Sequence, residues 1–473
     1  MSATETTTDG QTPEKATSRG FELLPDTEYS ASRRFFVSSA VWFCVGTLWG
    51  LLSAMALVAP DLFAGIPWLE FGRIRPAHTN TVIFGFVVSS LLGGILYAVP
   101  ALLRTKLHAQ RAANAAMWLW NLGVIGVVTT LPLGLTQARE YAEPIFPVKL
   151  CFFAAMVLLI YVMTVTVLNR KENLLYVTVW YGLTGIFMTL LLYPVGNVMW
   201  HPFTGAATGI VDAIWLWWYG HNIFGLMITL LAIGMAYYIV PRIARKPLYS
   251  HTLSLVGFWS IVVIYTHIGT HHLIQAPVPT WLKVVAIVDS GAMVIPVVTA
   301  MVNIWLTMRG AMRRFADNIP GQFIFAGTIW YLIVSLQGSM QSFPSVQRYT
   351  HFNNWVVGHA HVGVLGFGGF IALGTLWYIL PLITKRRIYS RRLLQLQFWL
   401  VLLGIIGFTI VLTTAGLIQG QAWVNGQTEY RVLSQIVPYM SARAAVGVLI
   451  IASAFVGLYN VLMTIYRREP TEV

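Results

Sequence analysis

The chain of 473 residues contains twelve apolar runs that are each long enough to cross a lipid bilayer. A helix needs about 20 predominantly apolar residues to span about 30 Å of hydrocarbon. The alternating short strands of a membrane barrel are absent from the sequence. We therefore predict an all-α integral membrane protein, a bundle of about twelve transmembrane helices. The runs cover residues 34–60, 77–101, 113–135, 145–168, 175–199, 211–240, 250–272, 281–308, 320–344, 355–380, 394–420 and 441–466.

Charged side chains are scarce and unevenly placed. They make up 10% of the residues, whereas soluble globular proteins carry about 25%. The formal net charge is +13, which in a soluble protein would raise the question of nucleic acid. Here 18 of the 30 Lys and Arg residues fall in the loops after the even-numbered runs, and eight fall at the opposite face. Because cytoplasmic loops carry the excess of Lys and Arg, both termini are predicted to be cytoplasmic, and no nucleic-acid partner is expected.

The polar N-terminus differs from the rest of the chain. Residues 1–30 are rich in Thr and Glu and lack helical periodicity, which predicts a disordered cytoplasmic tail. Residues 31–473 are predicted to form a single domain of twelve helices. The two cysteines, Cys44 and Cys151, lie inside apolar runs, and no CxxCH haem-attachment motif occurs. Any c-type haem would therefore belong to another chain.

Histidines are concentrated at one depth of the predicted bundle. A polar ring in hydrocarbon by default marks a functional site, although a single one is as readily explained by a hydrogen bond between helices. Seven in the outer part of the membrane favour a shared site. The seven are His78, His221, His267, His271, His272, His359 and His361. The other four are expected to be solvated in or beside loops, namely His108, His201, His251 and His351.

Spacing indicates which chemistry these rings support. His359 and His361 are two residues apart, so on a helix they point about 200° from each other and can serve two different sites. Imidazole is a common axial ligand of haem iron. His271 and His272 are adjacent at a helix end, where a loosened backbone can turn both rings toward one metal. With His221 they form a three-imidazole site that suits copper and leaves iron and zinc open.

Four sequence motifs carry a family resemblance. FGRIRPAHTNTVIFGF surrounds His78, WWYGHN surrounds His221, YTHIGTHHL ends near His272, and NNWVVGHAH ends at His361. Together they resemble subunit I of the haem-copper oxygen reductases, most of all the cbb(3)-type, or C-family, cytochrome c oxidases. The resemblance implies a catalytic subunit in the bacterial inner membrane that reduces dioxygen to water. It also implies electrons from cytochrome c through c-haem-carrying partner subunits, with proton uptake and translocation.

The resemblance assigns roles to individual residues. Two b-type haems and one copper ion are implied. By matching position, His78 and His361 would be the axial ligands of the low-spin haem, and His359 that of the high-spin haem. The implied copper ligands are His221, His271 and His272.

A tyrosine of the seventh run marks the branch of the family. The C-family places a tyrosine at the position of Tyr265 and cross-links it to the first copper histidine, here His221. Other branches place that tyrosine on the sixth run, where this chain has Gly225. The alternative reading of Tyr265 is a membrane tyrosine packed on a haem edge.

Further polar residues take implied roles with plainer alternatives. Four residues resemble the single proton channel of the C-family, although helix-packing hydroxyls are commoner than proton relays; they are Tyr237, Ser254, Asn303 and Thr307. Arg75 resembles the arginine that pairs with haem propionates. Glu140 and Glu143 match an acidic stretch near a calcium ion, which suits hard carboxylate oxygens, with solvated loop glutamates as the alternative.

The chain also departs from the family pattern, which keeps other functions open. Gln337 stands where many C-family members have glutamate, Thr270 where they usually have proline, and His267 is additional. The leading alternative is a nitric oxide reductase of the same superfamily, but such enzymes add a glutamate near the first histidine and lack the cross-linked tyrosine, so Gly225 and Tyr265 argue against it. A twelve-helix haem-binding transporter would require internal repeats, and we identify none in the sequence.

Overall fold

The computed structural model describes residues 22–137 and 139–467, and these form a bundle of twelve long helices. In the described residues the only β-type pairing is an isolated bridge between Thr136 and Pro144. The helices are α1 Ser30–Val58, α2 Phe71–Leu102, α3 Gln110–Thr130, α4 Phe146–Leu168, α5 Val177–Gly196, α6 Ile210–Ala244, α7 His251–Tyr265, α8 Thr280–Met308, α9 Ile319–Gln341, α10 Asn354–Thr384, α11 Arg391–Val424 and α12 Glu429–Tyr466.

Eleven of these helices are long and apolar enough to cross a membrane. The exception is α7, which has 15 residues and ends at Tyr265 rather than continuing to 272. The chain then tightens into a 3₁₀ turn over Ile268–Leu273. The twelfth helix begins twelve residues before the predicted run and carries Pro438 inside it. Periodicity and hydropathy therefore identified all twelve helices, and the ends differ where the chain leaves the hydrocarbon.

The segment that precedes α1 is partly held against the bundle. The Arg34 guanidinium donates a hydrogen bond of 2.6 Å to the Leu23 carbonyl, and the Trp118 indole donates one of 2.9 Å to the same oxygen. Asn114 donates to the Pro25 carbonyl at 3.1 Å. The predicted tail of residues 1–30 thus has ordered contacts in its last part, and its residues 1–21 lie outside the described part of the chain.

Three of the helices contain widened π-helical turns. These turns cover Thr81–Val88 in α2, Ile223–Thr229 in α6 and Val362–Gly369 in α10. Each begins within three residues after a histidine of the predicted sites. π-Helical turns are rare and frequently occur at functional sites, because the extra residue changes which side chains face the neighbouring helices. Here they mark the three helices that supply most of the candidate ligands.

The C-terminal ends of the same three helices repeat one local structure. Each carries the sequence Tyr-x-x-Pro, at 97–100, 238–241 and 378–381. The proline carbonyl accepts a hydrogen bond from the backbone N–H five residues later, at 3.0, 3.1 and 3.3 Å. A left-handed residue lies between them in every case, namely Arg104, Arg245 and Lys385. These ends recur every four helices and define three related units, a repeat that was not identified from the sequence.

Large cavities lie beside two of the three repeated units. In the remaining unit, aromatic side chains fill the space between α2, α3, α4 and α5. The rings of Phe84 and Phe152 have centroids 5.1 Å apart, and Trp120 stands edge-on to Phe152 at the same separation. Tyr193 meets both phenylalanines at 6.3 and 6.5 Å. All four residues are buried. The two cavities that hold the candidate histidine ligands both lie beside α10.

Candidate haem and metal sites

The first cavity lies between α1, α2, α10, α11 and α12, with His78 and His361 on its wall. It encloses about 900 Å³ of empty space, which is at the upper end of the range for small-molecule pockets. The two imidazole rings face each other with centroids 6.1 Å apart and planes 21° from parallel. Metal–nitrogen bonds of about 2 Å on opposite sides of one ion require a similar separation, so the pair fits one axially ligated iron.

Hydrogen bonds fix which nitrogen of each ring faces the cavity. The Nδ1–H of His78 donates to the Gly46 carbonyl at 2.7 Å, and the Nδ1–H of His361 donates to the Val357 carbonyl at 2.8 Å. Each Nε2 is then a free acceptor, as a ligand nitrogen must be. Gly50 makes room for His78, because a Cβ there would lie 2.8 Å from the ring. Neither Gly46 nor Gly50 was identified from the sequence.

The second cavity lies between α6, α7, α8, α9 and α10 and encloses about 1090 Å³. His359 lines this cavity, whereas His361 lines the first. The Nδ1–H of His359 donates to the Gln337 side-chain oxygen at 3.2 Å, and its ring stacks on Trp355. Gln337 therefore gives this imidazole an uncharged partner, whereas a glutamate at the same position would give it a charged one.

Three histidines converge on the same cavity from α6 and from the turn after α7. One nitrogen from each of His221, His271 and His272 lies within 4.8 Å of the other two. Nδ1 of His221 and Nε2 of His272 are 3.0 Å apart, close enough to share one ion. Three imidazole nitrogens without a carboxylate or thiolate suit copper, and the donor set fits the copper ion that the resemblance implies.

Neighbouring side chains hold these rings in place. The Ser290 hydroxyl donates to the Ala286 carbonyl at 2.6 Å, so it accepts from Nδ1–H of His271 at 2.8 Å. That hydrogen bond leaves Nε2 of His271 for a metal. The Trp217 ring stacks on His272 at 3.9 Å with planes 12° apart. Neither Ser290 nor Trp217 was identified from the sequence, and their only sequence signal is proximity to the histidine motifs.

Tyr265 lies directly against the first of these histidines. Its ring is 4.8 Å from that of His221 and 12° from parallel. A Cβ at position 225 would come within 1.9 Å of the Tyr265 ring, so only glycine fits there. Nε2 of His221 is buried and has no hydrogen-bond partner among the described residues. The arrangement leaves that nitrogen available to Tyr265.

His351 corrects our expectation of a solvated histidine. It follows the short helix Pro344–Thr350, which turns the side chain inward, so that only 8% of it is exposed. Its ring stacks on Phe352 at 3.7 Å, and its buried Nδ1 has no partner within the described chain. Burial lowers the pKa of His351 to about 4. Hydropathy could not reveal this, because the helix that buries the ring lies outside the apolar runs.

The acidic stretch between α3 and α4 contains two glutamates in different environments. Arg75 pairs with Glu140 through two hydrogen bonds of 2.9 and 3.1 Å. Glu143 is 3% exposed and accepts from the Asn80 amide at 2.8 Å, and its other oxygen has no partner among the described residues. Burial, with Glu140 nearby, raises the pKa of Glu143 to about 7. The alternative of solvated loop glutamates is therefore wrong for Glu143.

The predicted proton-path residues lie on α6, α7 and α8, three of the helices that line the second cavity. Tyr237 is fully buried, and Ser254 donates to the His251 carbonyl at 2.6 Å. The Asn303 amide accepts from the Ser250 N–H at 2.9 Å and donates to the Ser250 carbonyl at 2.7 Å. Thr307 accepts from the Tyr249 N–H at 3.0 Å. Asn303 and Thr307 thus hold the loop between α6 and α7.

The same clamp recurs in the next unit of the repeat. Asn460 and Thr464 bind the backbone of Ser390 and Tyr389, with hydrogen bonds of 3.0 to 3.1 Å. This second clamp joins α12 to the loop after α10. An anchoring role is therefore sufficient to explain an Asn-x-x-x-Thr pair in this fold, with or without proton transfer.

The additional histidine lies outside the metal cluster. His267 is half-exposed, and its Nδ1 is 3.3 Å from a carboxylate oxygen of Asp289. Thr270 is buried within the 3₁₀ turn that presents the two adjacent histidines. Neither residue lies among the three that converge on the candidate copper site.

Comparison with known proteins connects this geometry to one family. The sequence model described as cytochrome c and quinol oxidase polypeptide I matches residues 30–449. Cytochrome c oxidase subunit 1 homolog of Agrobacterium tumefaciens (strain T37) is 32% identical over 450 residues, 92% of this chain and 83% of that protein. The cbb3-type cytochrome c oxidase subunit CcoN1 of Stutzerimonas stutzeri is 31% identical over 457 residues, 94% of this chain and 96% of that protein.

More distant matches bear on the alternatives. A nitric oxide reductase subunit of Stutzerimonas stutzeri is 24% identical over 416 residues, 82% of this chain and 84% of that protein. A cryo-EM structure of a heme-copper terminal oxidase dimer matches with a TM-score of 0.75 and 15% identity, over 94% of this chain and 85% of that chain. At that identity the likeness supports the fold alone.

Proposed function

The chain belongs to the cytochrome c and quinol oxidase polypeptide I family, and from that premise we propose that it is the catalytic subunit of a cbb(3)-type cytochrome c oxidase. Its reaction is the reduction of dioxygen to water with electrons from cytochrome c. The observation that carries the proposal is the convergence of three imidazoles and Tyr265 on a cavity whose opposite wall holds His359. A transporter has no use for that arrangement.

The ligand assignment rests on the two cavities. His78 and His361 would hold a low-spin b-type haem, His359 a high-spin haem, and His221 with the adjacent pair a copper ion. When bound, these groups supply the electrons and the open coordination positions at which dioxygen reacts. Tyr141, Phe224 and Ala360 line both cavities, so they separate the two haem sites with only a thin layer of protein.

Tyr265 would supply a proton and an electron close to the reacting dioxygen. The parallel rings, the unpartnered Nε2 of His221 and the missing side chain at Gly225 support a covalent link between Tyr265 and His221. A glutamate ligand at position 225, as in a nitric oxide reductase, would collide with the Tyr265 ring. This contact favours oxygen over nitric oxide as the substrate.

Protons would reach Tyr265 from the cytoplasmic side. The route would pass the loop clamp of Asn303 and Thr307, then Ser254 and the buried Tyr237. The buried Tyr237 hydroxyl lies close to the Asn303 side chain, which joins it to the loop clamp. Uptake from the cytoplasm with electron entry from outside would make the reaction charge-separating and couple it to proton translocation.

The outer acidic stretch would hold a calcium ion. Glu143 offers a buried carboxylate oxygen without a partner, and hard oxygen ligands suit calcium. The pairing of Glu140 with Arg75 would limit how far Glu140 can also bind the calcium ion. Arg75 would face the haem propionates while it keeps this pairing. The calcium would replace the proton that burial favours on Glu143.

The surroundings follow from the same assignment. The protein would lie in a bacterial inner membrane with both termini in the cytoplasm, since the Lys and Arg excess lies on that side. Its c-haem-carrying partner subunits would dock at the outer face and deliver electrons from cytochrome c. The name of the related CcoN1 subunit supports such an assembly.

Metal analysis and two electrode assays test the proposal on the purified complex. Two b-type haems with one copper ion, and consumption of oxygen in preference to nitric oxide, are expected. Tyr265→Phe should retain both haems and the copper but lose oxygen reduction. Iron in place of copper, together with faster turnover of nitric oxide, would favour the reductase instead, and protein without haem would contradict both.

A further inference from the structure

One pair of polar side chains beside the metal cluster has no part in the proposed reaction. His267 immediately precedes the 3₁₀ turn Ile268–Leu273, and its Nδ1 lies 3.3 Å from a carboxylate oxygen of Asp289 on α8. The residue after Asp289 is Ser290, which accepts the hydrogen bond from Nδ1–H of His271 at 2.8 Å. The pair therefore connects the same two segments as the contact that orients a candidate copper ligand.

The pair lies well inside the apolar stretch of α8. Asp289 is about 13 Å along the helix from Thr280, the residue with which α8 begins. Exposed side chains of α8 on either side of it are aliphatic, for example Val288 and Val294. A histidine–aspartate contact in water would contribute little, but the attraction between the two groups is stronger where the surroundings have a low dielectric constant. Polar side chains at such a depth are costly and mark functional sites by default.

Other contacts hold the turn against different parts of the molecule. Gly269 packs against α6, where a Cβ would lie 2.5 Å from the Trp217 carbonyl oxygen. Gln347, in the short helix between α9 and α10, donates to the His271 carbonyl at 2.8 Å. These two contacts fix the turn to α6 and to the loop before α10, so its orientation relative to α8 depends on other side chains.

Asp289 and Ser290 attach the turn to α8 at two points. Ser290 binds the His271 ring, and Asp289 contacts the side chain four positions earlier. A single attachment would leave the turn free to rotate about it, whereas a second attachment removes that rotation. The rings of His271 and His272 are only 4.5 Å apart, so a rotation of the turn would displace both ligand nitrogens at once.

We propose that His267 and Asp289 form a positioning pair, which holds the turn against α8 so that His271 and His272 bind one metal ion. The inference rests on the proposed copper site. Neither residue of the pair is among the three that converge on that site, so the pair acts through the ligands. Fixing the ligands before the ion arrives lowers the cost of ordering them on binding.

The test measures copper retention in purified complexes that carry His267→Ala, Asp289→Ala or both changes. Copper is followed by its rate of loss to an added chelator, and its nitrogen coordination by X-ray absorption at the copper edge, both independently of turnover. Asp317→Ala is the matched control, because Asp317 forms an exposed pair with Arg313 between α8 and α9. The content of low-spin haem, whose proposed ligands line the other cavity, reports whether each variant is folded.

We expect each single change to speed copper loss by about tenfold to hundredfold, as for residues that orient metal ligands, and to lower the nitrogen coordination number while low-spin haem is retained. The double variant should lose copper no faster than the single variants, since the second change removes nothing further. Asp317→Ala should match the parent. Parental copper loss in either single variant, unchanged nitrogen coordination, or a double effect equal to the product of the single effects would overturn the inference.

If an alanine variant also loses the low-spin haem, the exchanged pair decides the question. His267→Asp combined with Asp289→His carries the same two groups in reversed positions. Restored copper retention in that variant supports the inference, and continued copper loss overturns it.

Failure of the proposed function would look different. A parent complex without metal in the second cavity contradicts the copper site, and the role of the pair with it, before any variant is compared. A parent with iron or zinc there contradicts the oxidase, and the same variants then test the pair through loss of that metal. If the parent holds copper and the variants keep it equally well, only the role of the pair fails.

Discussion

At the scale of single residues, four candidate ligands are oriented by four different acceptors. Nδ1–H of His78 and of His361 donates to backbone carbonyls, whereas His271 and His359 donate to a serine hydroxyl and a glutamine amide. None of these four acceptors is a carboxylate. Since a carboxylate partner raises the basicity of a ligating imidazole, all four rings are held as neutral ligands.

Gln337 provides the most direct test of this arrangement. Gln337→Glu would place a carboxylate at the Nδ1–H of His359, strengthen electron donation to the iron and lower the midpoint potential of the high-spin haem. The low-spin midpoint should stay within the error of the titration. Gln421→Glu, an exposed change on α11, is the matched control. Equal high-spin midpoints in the parent and Gln337→Glu would show that the contact does not tune the iron.

Gly225 leaves no room for any side chain. A Cβ at this position would lie 1.9 Å from the Tyr265 ring, so Gly225→Ala should displace that ring and destabilise the protein by about 1–3 kcal/mol through overpacking. Oxygen consumption should fall with it, and thermal unfolding measures the loss of stability. Gly291→Ala on α8, where a Cβ meets nothing within 4 Å, should change neither quantity. A fully active and stable Gly225→Ala protein would contradict this packing.

At the scale of helices, the sequence predicted the features that lie within the apolar runs and missed those that lie between them. The runs identified all twelve helices, and the adjacent pair His271 and His272 lies in the loosened turn that their position at a helix end predicted. The burial of His351 was missed, because it depends on a short helix in the loop between α9 and α10. The shared Tyr-x-x-Pro ends were missed for another reason, because the repeat consists of a common backbone geometry and only a few identical residues.

The repeated clamp separates anchoring from proton transfer at Asn303. Asn303→Ala and Asn460→Ala each remove two hydrogen bonds to a loop backbone, so each should cost about 1–3 kcal/mol of stability. Asn303 is on α8, which lines the second cavity, whereas Asn460 is on α12, which lines the first. We therefore expect Asn303→Ala to slow oxygen reduction and proton uptake, measured in vesicles, and Asn460→Ala to leave both near the parent rate. Equal turnover in two equally destabilised variants would remove Asn303 from the proton path.

At the scale of the whole molecule, the three repeated units are used unequally. One holds its core together with aromatic rings, and the other two leave cavities on either side of α10, so that His359 and His361 serve both. The sequence could place these two rings on opposite faces from their spacing alone. It could not show which unit has a filled core, because large aromatic residues such as Phe43, Phe86 and Phe408 also line a cavity.

Glu143 connects stability of the whole bundle to pH and to calcium. Its pKa rises to about 7 from the ordinary value of 4.5. Between these two pH values the folded protein keeps a proton on Glu143 that the unfolded chain has already released. Folding stability is therefore unaffected below the lower value, declines as pH rises between the two, and is constant above the upper one. The difference amounts to about 3 kcal/mol.

A calcium ion on Glu143 would reverse this dependence, because it favours the ionised carboxylate. Thermal unfolding in chelator should therefore show a stability that falls from pH 5 to pH 8, and added calcium should raise it more at pH 8 than at pH 5. Glu143→Gln should abolish both the slope and the calcium effect, whereas Glu70→Gln, a change at an exposed carboxylate, should preserve them. A calcium response that survives Glu143→Gln would place the ion elsewhere, since no other buried carboxylate oxygen in the described chain lacks a partner.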